Sequence, residues 1–164
     1  MPHTIPFFKT GFGIAKKYLP NWLIRIFLKK DRIAKKLLIS LNPGYGIELQ
    51  NSSIPQLSIQ IVLTNHSPIV ITVDRIHVQF WLGQPVVTQD YTRRITLDAY
   101  STKVEFLFFQ LADNQLQKIK DSLDAERRIK PGNSATLRLD LDCETGLGWI
   151  SKTENINYNG EIVR

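Results

Sequence analysis

Between Trp22 and Leu41 the apolar residues recur at helical spacing. At about 100° per residue, Trp22, Leu23, Ile26, Phe27, Ile33, Ala34, Leu37, Leu38 and Leu41 share one broad arc. Arg25, Lys29, Arg32 and Lys36 line the opposite side at spacings of four, three and four. Lys30 intrudes on the apolar arc, where its long stem lets the ammonium snorkel. Asp31 stands four before Lys35, a pairing that favours a helix. Asn21, after Pro20, can cap the start, and Asn42-Pro43-Gly44 is a strong stop. The pattern predicts a basic amphipathic helix within an N-terminal segment, residues 1–50.

Tyr45 to Pro55 reads as a first strand or a linker, and beyond it the period falls from 3.6 to 2. Leu57, Ile59, Ile61 and Leu63 alternate with Ser58, Gln60, Val62 and Thr64, and Asn65-His66-Ser67-Pro68 is a turn. Ile69, Ile71 and Val73 resume the alternation, but Ile76, Val78, Phe80 and Leu82 continue it on the other parity. That change places a bulge or a corner at Asp74-Arg75. After a Gly83-Gln84-Pro85 turn, strands are expected over Val86–Thr96 and Thr102–Leu111. A helix follows, with Asp113 as its cap and Leu116, Ile119 and Leu123 as its apolar stripe. Leu137, Leu139, Leu141 and Cys143 alternate with polar residues, and a last strand is expected around Ile156–Val163, after Gly146 and Gly148. Six or seven short strands separated by turns predict a mainly β chain. The expected architecture is a fibronectin-III/immunoglobulin-like β-sandwich over residues 51–164, with one short inserted helix, preceded by the N-terminal amphipathic helix.

Charge sharpens this division. The chain carries a net +6, yet residues 1–50 hold nine Lys/Arg against Asp31 and Glu48, a net +7. The remainder holds twelve against thirteen, a net −1. An anionic partner, if there is one, should therefore be met by the N-terminal segment. At 43% hydrophobic and 22% charged, the composition is that of a globular chain. Cys143 is the single cysteine, which excludes a disulfide framework and a cysteine-based zinc site, and its place in an apolar alternation predicts burial. No convincing secretory signal is present, and no apolar run reaches the roughly 18 residues a spanning helix needs.

Motifs for chemistry fail one by one. Gly11-Phe-Gly13, Gly44-Tyr-Gly46 and Gly146-Leu-Gly148 lack the third glycine of a dinucleotide loop and the Gly-Lys-Ser/Thr of a P-loop. His3, His66 and His77 have no second ligand at metal spacing. Asp140, Asp142 and Glu144 alternate as a solvated sheet face would. Phe106, Phe108 and Phe109 read as core, since only Lys103 offers a basic neighbour for base stacking. Trp81 falls on the parity opposite Phe80 and Leu82, as an exposed anchor or on a covered second face. The expectation is a non-enzymatic protein without catalytic residues, cofactor or metal.

The segment Leu57–Thr64, Asn65-His66-Ser67-Pro68 and Ile69–Phe80 resembles the water-stress and hypersensitive-response (LEA-14-like) domain family. So do the inserted helix Asp113–Leu123 and the closing Tyr158-Asn159-Gly160-Glu161-Ile162-Val163. The resemblance covers about two-thirds of the chain. It implies a fibronectin-III-like fold, no catalysis and often a membrane-proximal position, and it supplies no catalytic residues.

Together these features predict a membrane-associated binding or scaffold module. Trp22 and Phe27 would meet the lipid interface, and Arg25, Lys29, Arg32 and Lys36 its anionic headgroups. The expected location is cytoplasmic and peripheral at the membrane. The alternative is a structural or assembly subunit, of phage-particle or secretion-machine type, whose helix packs on other subunits through protein contacts. No nucleic-acid motif is present, so nucleic acid is not an expected partner.

Overall fold

The structure, a computed structural model, describes residues 29–43, 45–50, 52–126, 128–131, 133–158 and 162. Two antiparallel sheets face each other across an apolar core. The first holds β1 (Leu37–Leu41), β2 (Ile47–Gln50), β3 (Gln56–Asn65) and β7 (Thr102–Gln110). Here β3 is central: β1 and β2 pair with its two halves and β7 with its other side. The second holds β4 (Ile71–Leu82), β5 (Pro85–Tyr91), β6 (Ile95–Leu97), β8 (Ala135–Thr145) and β9 (Gly148–Tyr158). Its order is β5-β4-β8-β9, with β6 on the remaining stretch of β4. The expected β-sandwich is therefore present, and the inward residues of both sheets form one core around Phe80, Phe109, Ile61 and Leu139.

Two helices accompany the sheets, α1 (Lys30–Lys36) and α2 (Asp113–Ser122). Of the helix expected over Trp22–Leu41, the described residues hold only Lys30–Lys36: Lys29 is extended and caps its start, so the helix is not continuous through it, and the stretch before Lys29 lies outside the described residues. Leu37, Leu38 and Leu41 fit a helical stripe and a strand equally well. Ile39 decides for the strand, because Leu37 and Ile39 are buried while Leu38 and Ser40 are exposed. Residues 37–50, grouped above with the helical segment, thus supply two strands of the first sheet.

The parity change at Asp74-Arg75 is a bulge: Val73 pairs with Cys143 and Arg75 with Asp142, leaving Asp74 without an opposite number. The extra residue keeps Ile71 and Val73 on the core face with Ile76, Val78 and Phe80. The single strand expected over Val86–Thr96 is two, β5 and β6, broken at Thr92-Arg93-Arg94. The last strand starts at Gly148, well before the expected Ile156, because the Gly146-Leu147 turn closes a hairpin between β8 and β9. Gly148 has φ +101, a conformation glycine adopts readily.

The stripe Leu116, Ile119 and Leu123 of α2 is buried, as its spacing predicts. Its cap differs. The N-cap residue is Ala112, which has no side-chain acceptor, and only Gln115 reaches back, its Oε1 accepting from the Ala112 N–H at 2.9 Å. Two edge strands share a device. On β7, Lys103 and Glu105 take the inward parity and lie 3.5 Å apart; on β9, Lys152 and Glu154 do the same at 3.1 Å. Inward charge on an edge opposes pairing with a foreign strand.

Candidate interaction surfaces

The α1 helix is anchored by Ile33, with Ala34 partly buried beside it. Ile33 is fully buried, and α1 packs against β9 and β1. Lys29, Lys30, Arg32, Lys35 and Lys36 are all exposed, and Asp31 is the one acid among them. None of the five cations forms an ion pair among the described residues. Of the expected contact residues, Lys29, Arg32 and Lys36 are thus brought together on this short basic helix. Trp22, Arg25 and Phe27 lie outside the described residues. In the described part of the apolar arc, Ile33 and Leu37 are in the sandwich core.

Apart from the exposed Trp81 and Trp149, the outer face of the β5-β4-β8-β9 sheet is polar and largely self-paired. Asp142 meets Arg75 at 2.7 Å, Glu144 meets Arg94 at 2.6 Å, and Asp140 lies 3.1 Å from Arg138 and accepts from Thr153 at 2.6 Å. Each of the alternating carboxylates thus has a cation beside it: on the neighbouring strand for Asp142, in the break between β5 and β6 for Glu144, and on the same strand for Asp140. Partial burial alone would raise the Asp140 pKa, but the hydrogen bonds from Thr153 and Arg138 outweigh it and hold the group below its ordinary range. His77 Nδ1 lies 2.7 Å from Asp90, and its Nε2 lies 3.1 Å from Gln79 Nε2. A neutral ring protonated on Nδ1 satisfies both contacts. Among the described residues, no group of three or more His, Cys, Asp or Glu is placed to hold a metal ion. Trp81 is half-exposed beside a shallow, open depression lined by Gln79, Ser134, Thr136 and Asn155.

The first sheet is different on its outside. Phe109 is buried, as expected of a core aromatic, but Phe106 and Phe108 are 42% and 53% exposed. They stand two apart on β7, ring planes 7° from parallel and centroids 6.1 Å apart. Val104 and Leu38 lie on the same outer face, 43% and 48% exposed. The signal was in the run Phe106-Leu107-Phe108-Phe109: four apolar residues in a row occupy both faces of a strand, so two of them must point outward.

Two buried groups are structural. Asn65 ends β3 with its side chain inside the turn, Oδ1 accepting from the Ser67 N–H and hydroxyl, and Nδ2 donating to the carbonyls of Ile69 and Asp98 at 2.8 Å. Cys143 is buried, and that burial, with Asp142 adding to it, pushes its thiol up to about 12.

No helix among the described residues is long and apolar enough to cross a membrane. No protein-family model matches the chain, and no curated protein matches it significantly. Solved structures do. One is the solution structure of a candidate late embryogenesis abundant (LEA) protein, at TM-score 0.57 and 10% identity, covering 99% of this chain and 95% of that one. A second, a solution structure from Arabidopsis thaliana, gives TM-score 0.52 and 15% identity, covering 84% and 93%. A crystal structure from Archaeoglobus fulgidus follows at TM-score 0.47 and 11% identity, covering 77% and 99%. At these identities the likeness is one of fold, and the fold is LEA-like.

Proposed function

We propose that this chain is a non-enzymatic, LEA-14-like β-sandwich module that associates with an anionic membrane surface through its basic N-terminal segment. The observation that carries the reading is the display of α1. Ile33 anchors the helix with Ala34 packed beside it, and from Lys29 to Lys36 five cations are exposed, with one acid among them and no ion pair among the described residues. Beyond residue 50 the chain is close to neutral, so its field is concentrated at this end. Each Lys or Arg close to an anionic leaflet adds about 1 kcal/mol, enough in sum for reversible peripheral binding. The LEA-like fold of the solved neighbours supports a binding or scaffold role without catalysis.

The test is co-sedimentation of the full chain with phosphatidylserine-containing vesicles. A variant with Arg25, Lys29, Arg32 and Lys36 all changed to Gln should stay in the supernatant at low salt, where the parent chain pellets. Equal pelleting of the two proteins would contradict the reading.

A further inference from the structure

Charge alone holds a protein loosely at a membrane, and stable peripheral binding combines it with apolar burial. The α1 helix offers none among its described residues, because Ile33 and Leu37 are in the sandwich core. The outer face of the β1-β3-β7 sheet does. Antiparallel sheets normally turn polar residues to water, yet Leu38, Val104, Phe106 and Phe108 are all between 42% and 53% exposed on this face. Beside the two rings, Ser58 and Gln60 of β3 are only 2% and 8% exposed. The one ionisable residue in its paired rows is Glu48, which accepts from Gln50 at 3.4 Å.

Resting on the membrane reading above, we infer that this sheet face is the apolar half of a lipid-docking surface. Phe106 and Phe108 enter the headgroup boundary while the cations of α1 hold the anionic headgroups. Three observations favour lipid as the occupant. First, α1 packs on β9 and runs without a linker into β1, so Lys35 and Lys36 stand within three residues of Leu38, at one end of the face. A second copy would bring a second set of the same cations to that surface, whereas an anionic membrane neutralises them. Second, β7 is guarded against strand addition. Its inward Lys103 and Glu105 oppose pairing, and the Tyr91 hydroxyl donates to the Phe106 carbonyl at 3.2 Å. What β7 offers is therefore a face and not an edge. Third, on the opposite sheet the outward carboxylates Asp140, Asp142 and Glu144 are already paired, and its two exposed aromatics, Trp81 and Trp149, stand at opposite ends, whereas Phe106 and Phe108 stack together.

The experiment measures partition of the full chain onto vesicles of equal phosphatidylcholine and phosphatidylserine, at low and at high salt. Phe106→Ser with Phe108→Ser should lower the partition coefficient by roughly tenfold or more at both salt levels, since apolar burial is not screened. Trp81→Ser, on the other sheet, should leave it unchanged. If the parent chain binds and the double variant binds equally, the inference falls while the membrane reading stands. If the parent chain does not bind at all, the membrane reading itself falls. An unchanged partition with a dimer-to-monomer shift in light scattering would assign the face to contacts between copies and overturn the inference. An equal loss in the Trp81→Ser variant would also overturn it.

Discussion

Asn65 shows how a single polar side chain can organise this fold. It is fully buried, yet its amide bonds the Ser67 N–H and hydroxyl on one side and the Ile69 and Asp98 carbonyls on the other. It therefore ties the turn after β3 to the loop before β7. Replacing it with Leu would take the acceptor from the buried Ser67 N–H and one of two hydrogen bonds from each of the Ile69 and Asp98 carbonyls. Asn65→Leu should cost roughly 3 kcal/mol, read as a lower urea midpoint with an unchanged slope. Cys143 makes a pH-dependent prediction. Its folded pKa is raised from the ordinary 9.0 to about 12, so the unfolded chain loses its proton first. The contribution is intact below pH 9 and is lost as the pH climbs toward 12. The stability difference between the parent chain and Cys143→Ala should accordingly shrink across that range. No difference in slope above pH 9 would contradict the assignment. The Asn65 turn was legible from its residue types, as was the burial of Cys143 in its alternating run. Exposure of Phe106 and Phe108 was not, because the run they sit in is apolar on both parities and pattern alone cannot say which face meets solvent.

At the scale of elements, the bulge in β4 carries the most information per residue. One inserted residue, Asp74, reconciles two stretches of opposite parity on one core face. Its position could be read because strand period is strict: a slip of one residue exchanges core and solvent faces. Deleting Asp74 should abolish cooperative unfolding, whereas Asp74→Ala, at an exposed site, should change stability by less than about 0.5 kcal/mol. A soluble, cooperatively folding deletion variant would show that the bulge is dispensable. The end of α1 was not readable in the same way. Leu37, Leu38 and Leu41 satisfy a 3.6 period and a 2 period together, and the contest is settled by pairing of Leu37 to Leu41 with β3. The same pairing defines what can be removed from the chain. A truncation ending at residue 28 removes none of the described strands, while one ending at residue 50 strips β1 and β2 from β3.

At the scale of the molecule, two asymmetries coincide. Positive charge is concentrated in the first 50 residues, and four exposed apolar side chains, Leu38, Val104, Phe106 and Phe108, share the outer face of the sheet that α1 leads into. The first was plain from counting residues. The second needed coordinates, because it depends on which strands pair and on what covers them. The central claim is that these features make a module for an anionic membrane surface. Its most direct measurement is the partition coefficient of the full chain on matched vesicles, one set purely phosphatidylcholine and the other containing phosphatidylserine, across a salt titration. The account predicts clear binding to the anionic set alone, weakening steadily as salt screens the cations. Equal partition onto both sets, or binding to the anionic set that salt leaves untouched, would contradict it.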